Sequence, residues 1–139
     1  MYEEKINAYF DAPERRAELV EAISRLVRIR SVREEPLPGM PFGPGPAAAL
    51  AEGLALAKEL GLATHNADNY IGWAELNDKE TALHILCHLD VVGEGTGWTV
   101  TEPYAPKEVD GMLYGRGTDD DKGPVAAVLL AMKAVKELG

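Results

Sequence analysis

The sequence predicts an α/β sandwich built on a mixed, mostly parallel sheet, and three observations point there. Helical patterning fills the N-terminal part, strand-like runs the middle, and another helical stretch the end. The run Ala82-Leu83-His84-Ile85-Leu86-Cys87 is apolar nearly throughout, as a buried central strand should be. Asp110-Gly111 separates two short segments at the spacing of a two-residue hairpin turn.

Residues 2–11 and 13–30 read as helices. In the second, Leu19, Ala22, Ile23, Leu26, Val27 and Ile29 recur at helical spacing between charged residues, and Pro13 is a usual opening residue. Residues 33–46 hold five prolines and three glycines, so an irregular loop is expected, with Pro46 opening the next helix. The Ala- and Leu-rich stretch 47–60 ends at Gly61, a natural left-handed cap. Strands are expected over 62–67, 70–76 and 82–89, with turns at Asp68-Asn69 and Asn77–Glu80. Residues 93–97 form a loop, and 107–109 pairs with 112–114 as a hairpin. A last helix runs from about Pro124 to Leu138. The two Lys-Glu-Leu-Gly endings are common helix-terminal solutions and no sign of duplication.

The bulk properties exclude several classes. With 139 residues the chain is long enough for one domain with a core. No apolar run approaches the ~18–20 residues of a membrane helix, and the N-terminus lacks the basic and apolar regions of a signal peptide. One cysteine cannot form an internal disulfide, so the cytoplasm is the expected location. A net charge of −9 argues against nucleic acid, whose phosphates need clustered Lys and Arg. It is compatible with divalent cations, although acidity usually serves solubility.

Two segments carry chemistry. In His88-Leu89-Asp90, residues two apart on a strand share a face, so imidazole and carboxylate can stand side by side at the C-terminal end of the apolar run. Neutral imidazole is a good zinc ligand, and a neighbouring carboxylate can fix its tautomer. On the tripeptide alone, a hydrogen-bonded strand-end histidine fits as well. The second segment is Gly115-Arg116-Gly117-Thr118-Asp119-Asp120-Asp121-Lys122-Gly123. Adjacent carboxylates repel unless cations, caps or water compensate; taken alone, Asp121 fits a helix cap. Contiguous carboxylates do not make an EF-hand loop, and the missing third glycine and the aspartates exclude a phosphate loop.

Taken together, the His-x-Asp motif, Gly97-Trp98, the hairpin and Tyr114-Gly-Arg-Gly-Thr-Asp-Asp-Asp-Lys-Gly123 resemble the di-zinc metallopeptidases that include carboxypeptidases, aminoacylases, carnosinases and PepV-type dipeptidases. The resemblance is strongest over 83–139. It implies the three-layer form of the sandwich. It also implies that His88 is a ligand of one zinc ion, that Asp120 bridges two, and that Asp90 orients His88 and counts as catalytic. Asp119 receives no role. A cis peptide bond is implied at Asp120-Asp121. Zinc, two ions per intact site, is the implied cofactor, with manganese or cobalt as alternatives, and a dipeptide or short peptide is the substrate. Asp-Asp-Lys, Gly97-Trp98 and the Pro-Gly loop favour the PepV type.

The resemblance further implies that residues 1–139 are the N-terminal part of a catalytic domain, without the paired glutamates, the other ligands and the smaller lid or dimerisation domain. The isolated chain is then expected to bind zinc poorly, to be inactive and to self-associate, the last through an apolar stripe of Val125, Val128, Leu129, Met132 and Val135. No nucleic acid and no membrane are expected as partners. An N-acyl amino acid deacylase of the same family, or a non-catalytic association unit, is the alternative. Among other residues, His84 stands about 13 Å along the strand from His88 and cannot share its metal. Cys87 is expected to be buried and His65 exposed. Trp98 and Tyr104 fit loop packing or a groove, and Arg116 is expected to brace the hairpin.

Overall fold

The computed structural model describes residues 1–139. Four helices and two small hairpins follow one another: α1 (Tyr2–Phe10), α2 (Pro13–Val27), α3 (Pro44–Glu59), β1 (Ala63–Ala67), β2 (Ile71–Glu75), β3 (Lys107–Val109), β4 (Met112–Tyr114) and α4 (Lys122–Leu138). Pro13 starts α2 from an extended Ala12, since proline suits the first helical position, whose N–H has no intrahelical partner. α3 opens two residues before the expected Pro46, at Pro44.

Helices α2, α3 and α4 enclose the core. Ala22 and Leu26 meet Leu56, Ala57 and Leu62, with Ala126 and Leu129 closing the other side. Arg25 joins α2 to α3 through Glu52 (2.6 Å) and Glu59 (2.6 Å), and Glu18 joins α2 to Lys133 of α4. No helix is long and apolar enough to cross a membrane.

Each hairpin follows its turn chemistry. Val109 pairs with Met112 across Asp110 (φ 51°) and Gly111 (φ 79°), the two positive φ values that a type I′ turn needs. β1 and β2 pair antiparallel from Ala63↔Glu75 to Ala67↔Ile71.

The sheet departs from the expectation. The structure is α/β, but its strands form two separate two-stranded antiparallel sheets, with no parallel pairing and no three-layer sandwich. Residues 82–89 are not a strand, and residues 82–90 make no backbone–backbone hydrogen bond. A central strand needs a neighbour on each side to satisfy its N–H and C=O groups. Here β1–β2 and β3–β4 each close on themselves, so the apolar run stays unpaired and Leu83, Ile85 and Leu86 are exposed.

The helical stripe behaves differently again. Leu129 is buried and Val125 and Met132 pack against the core, leaving Val135 exposed. Large apolar side chains are thus exposed on the unpaired segment (Leu83, Ile85, Leu86) and on α1 (Tyr2, Ile6, Phe10), whereas α4 exposes Val135 alone among its own.

Candidate metal centre

The short stretch after α2 gathers the two segments singled out in the sequence. Ser31, fully buried, donates its hydroxyl to the carbonyl of Leu89 (2.6 Å), and its own carbonyl accepts from the N–H of Val91 (3.1 Å). Two residues earlier, the carbonyl of Ile29 accepts from Nζ of Lys122 at 2.7 Å. Lys122 is completely buried, and burial pushes its pKa down to about 8. His88-Leu89-Asp90 and Asp120-Asp121-Lys122 are thus fastened to one anchor.

Two glycines allow the approach. Gly117 has φ +88°, and a Cβ there would stand 2.8 Å from Cγ1 of Val91. At Gly123 a Cβ would stand 2.1 Å from the carbonyl oxygen of Thr118, so only glycine lets α4 begin this close to the turn.

The gathered residues converge on His88. Its Nε2 lies 3.0 Å from Oδ1 of Asp120. On the ring's other side Nδ1 faces Asp90, 3.1 Å from the carbonyl oxygen and 3.3 Å from Oδ1. The main-chain N–H of His88 donates to Oδ2 of Asp121 at 3.0 Å. The Asp120–Asp121 peptide bond is cis, as the resemblance implied.

Partial burial pulls the His88 pKa down. The Asp90 carbonyl, the Asp120 carboxylate and the charges of Asp90 and Asp121 together outweigh it, and the imidazole ends above its ordinary value. His88, Asp90 and Asp120 line an open cleft of about 290 Å³ with Val91, Val92 and residues 115–119.

One ligand atom from each of His88, Asp120 and Asp121 lies within 4.8 Å of the other two. The donor set of one imidazole and carboxylates suits zinc and neighbouring divalent ions. Two metal–ligand bonds of about 2.0–2.2 Å span roughly 3.0–3.4 Å between donor atoms, and the His88–Asp120 separation matches that span. The residues therefore fit a divalent cation.

Asp119 is exposed and makes no hydrogen bond with its side chain. His84 is exposed and outside the cluster. Cys87 is half-buried where burial was expected; desolvation first, then the Asp121 charge, raises its pKa. His65 is exposed, stacks on Trp73 and pairs with Glu75 at 3.1 Å.

The loop after Asp90 is held by Glu94. Its carbonyl accepts from Trp98 Nε1 (2.7 Å) and Arg116 Nη2 (3.0 Å), and its carboxylate takes Tyr104 (3.0 Å) and Arg30. Arg116 braces this loop where the hairpin was expected, and Trp98 packs beneath its guanidinium. Sequence reasoning missed Ser31, Glu94 and the burial of Lys122. Ser31 carries no pattern because its Leu89 partner lies 58 residues away, and Glu94 collects partners from 4 to 64 residues away, which no local spacing marks.

Residues 84–139 match peptidase family M20/M25/M40. A candidate dipeptidase of Bacillus subtilis (strain 168), YtjP, is 37% identical over 126 residues, covering 89% of this chain and 27% of the relative. Another candidate dipeptidase, from Staphylococcus epidermidis, is 36% identical over 140 residues, covering 99% of this chain and 28% of the relative. The crystal structure of human carnosine dipeptidase 1 superposes with a TM-score of 0.72 at 30% identity, covering 97% of this chain and 31% of that one. The chain thus spans 27% to 31% of the length of these relatives. The sequence match over residues 84–139, the relatives and the shared fold all liken the chain to peptidase family M20/M25/M40.

Proposed function

We propose that residues 1–139 supply the N-terminal part of the catalytic domain of a metal-dependent peptidase that hydrolyses dipeptides or short peptides. The approach of His88 Nε2 to Asp120 Oδ1, with Asp90 behind Nδ1, carries this reading. The relatives named as dipeptidases support the substrate class.

In this reading His88 and Asp120 hold the metal, zinc by donor chemistry with manganese or cobalt as alternatives, and two ions fill the whole site. When bound, the metal acts as a Lewis acid on the scissile carbonyl. Asp90 accepts the Nδ1 proton of His88, which fixes the tautomer and leaves the Nε2 lone pair facing Asp120. Arg116, which lines the cleft, also holds the 94–98 loop through the Glu94 carbonyl. A cytoplasmic location completes the reading, supported by the single unpaired cysteine.

Two residues fall short of the four ligands of a closed zinc site. The chain by itself is therefore expected to bind zinc weakly and to show no dipeptide turnover with zinc, manganese or cobalt. Binding should also depend on pH. A proton on His88 competes with metal, so affinity should fall about tenfold per pH unit below the raised His88 pKa, with the decline starting above the ordinary 6.5. Cobalt titrations between about pH 5.5 and 8 measure this; a flat profile would remove His88 from the ligand set. Without metal the linkage runs the other way. A histidine pKa raised by folding stabilises the chain below about 6.5, and that contribution fades as pH rises through the raised value.

Self-association belongs to the same proposal. Leu83 (73% exposed) and Leu86 (87% exposed) sit on a segment whose backbone has no ladder partner, and such edges favour pairing with another chain. Sedimentation should show concentration-dependent association, reduced by charged residues at Leu83 and Leu86. A monomer at all concentrations would rule out this part.

A further inference from the structure

Asp121 occupies the residue before α4, where a short acidic side chain usually caps the helix. It makes no such cap bond. Its Oδ2 instead accepts the main-chain N–H of His88, 33 residues earlier, at 3.0 Å. Residues 82–90 have no backbone–backbone hydrogen bond of their own. Two side chains from outside the segment therefore fasten this backbone. Ser31 holds the carbonyl of Leu89 just after His88, and Asp121 holds the N–H of His88 itself.

Consecutive residues thus grip His88 at two places. Asp120 meets the ring and Asp121 meets the backbone. A ring contact alone leaves an otherwise unpaired residue free to rotate its main chain and carry the ring away. A hydrogen bond from that N–H to a side-chain oxygen removes that freedom. We propose that Asp121 is a positioning residue that clamps the His88 main chain so that Nε2 stays aimed at Asp120. The consequence for metal rests on the metal reading of the site; the clamp itself does not.

The competing role is that of a third ligand, because an Asp121 oxygen lies within 4.8 Å of the donor atoms of His88 and Asp120. Two substitutions in the full chain separate the roles. In Asp121→Asn the amide oxygen still accepts the N–H but loses the anionic donor. In Asp121→Ser the hydroxyl can still cap α4, which protects folding, but is one bond too short to reach His88.

Hydrogen exchange at the His88 amide is measured without metal, and cobalt and zinc affinity by competition titration. Asp121→Ser should speed His88 exchange by about 10–100-fold and weaken metal binding by a similar factor, with the thermal midpoint nearly unchanged. Asp121→Asn should stay close to the unsubstituted chain in both readouts, a rescue that loss of a ligand would not permit. The clamp is overturned if the unsubstituted His88 amide already exchanges at the open-chain rate, or if Asp121→Ser leaves it protected. Metal affinity in Asp121→Asn falling as far as in Asp121→Ser, with exchange unchanged, would make Asp121 a ligand and overturn the assignment. A chain that binds divalent metal too weakly to titrate would agree with the incomplete ligand set proposed above, and the exchange measurements would still decide the clamp.

Discussion

His88→Ala is expected to lower zinc and cobalt affinity by at least about 100-fold, beyond the 10–100-fold typical when a residue that orients a ligand is replaced. The imidazole is the only nitrogen donor of the cluster, and it is the point on which Asp90, Asp120 and Asp121 converge. Asp90→Asn should fall inside the smaller range. It leaves Nε2 in place but weakens the hold on the opposite nitrogen. Calorimetric titration of the three chains side by side gives the ranking. Equal losses for His88→Ala and Asp90→Asn would mean that the ring is not the ligand. An unchanged affinity in His88→Ala would place bound metal elsewhere.

Leu26→Ala should destabilise the fold by about 2–5 kcal/mol, the cost of deleting a fully buried leucine and leaving a cavity. Leu26 is 0% exposed and stands where α2, α3 and α4 meet. A domain of this size is held by only about 5–15 kcal/mol, so the loss is a large share of the total. Leu86→Ala makes the control. That side chain is 87% exposed, and its removal should change stability by less than about 0.5 kcal/mol. Urea denaturation of both variants tests the pair. Comparable losses at the two positions would show that in solution residues 82–90 are packed against something.

The helices were legible because each carries a local signal. Pro13 opens α2, Leu19, Ala22, Ile23 and Leu26 mark its inner face, and Gly61 (φ +78°) follows the end of α3. Both hairpins were legible for a related reason, since Asp68, Asn69, Asp110 and Gly111 tolerate the positive φ that their turns require. The sheet was not. Apolar character marks Ala82–Cys87 as a segment suited to burial, but burial and pairing depend on neighbours, and no strand of this chain lies beside it.

What the sequence by itself determined is the set of helices, the two turns and the identity of the chemical groups: an imidazole at 88, carboxylates at 90 and 120, and glycines at 117 and 123. Propensity, capping and turn preferences act over a few residues and can be read from order alone. Only the tertiary structure decided that Ser31 and Lys122 draw the two motifs onto the end of α2, and that Asp121 serves the His88 backbone instead of its own helix. The same holds for Glu94, which collects Arg30, Trp98, Tyr104 and Arg116 into one brace. Each of these contacts except the Glu94–Trp98 and Glu94–Tyr104 bonds joins residues more than 20 positions apart. Their existence depends on how the helices pack, because a hydrogen bond reaches only about 3 Å and nothing in the local order of residues brings such partners that close.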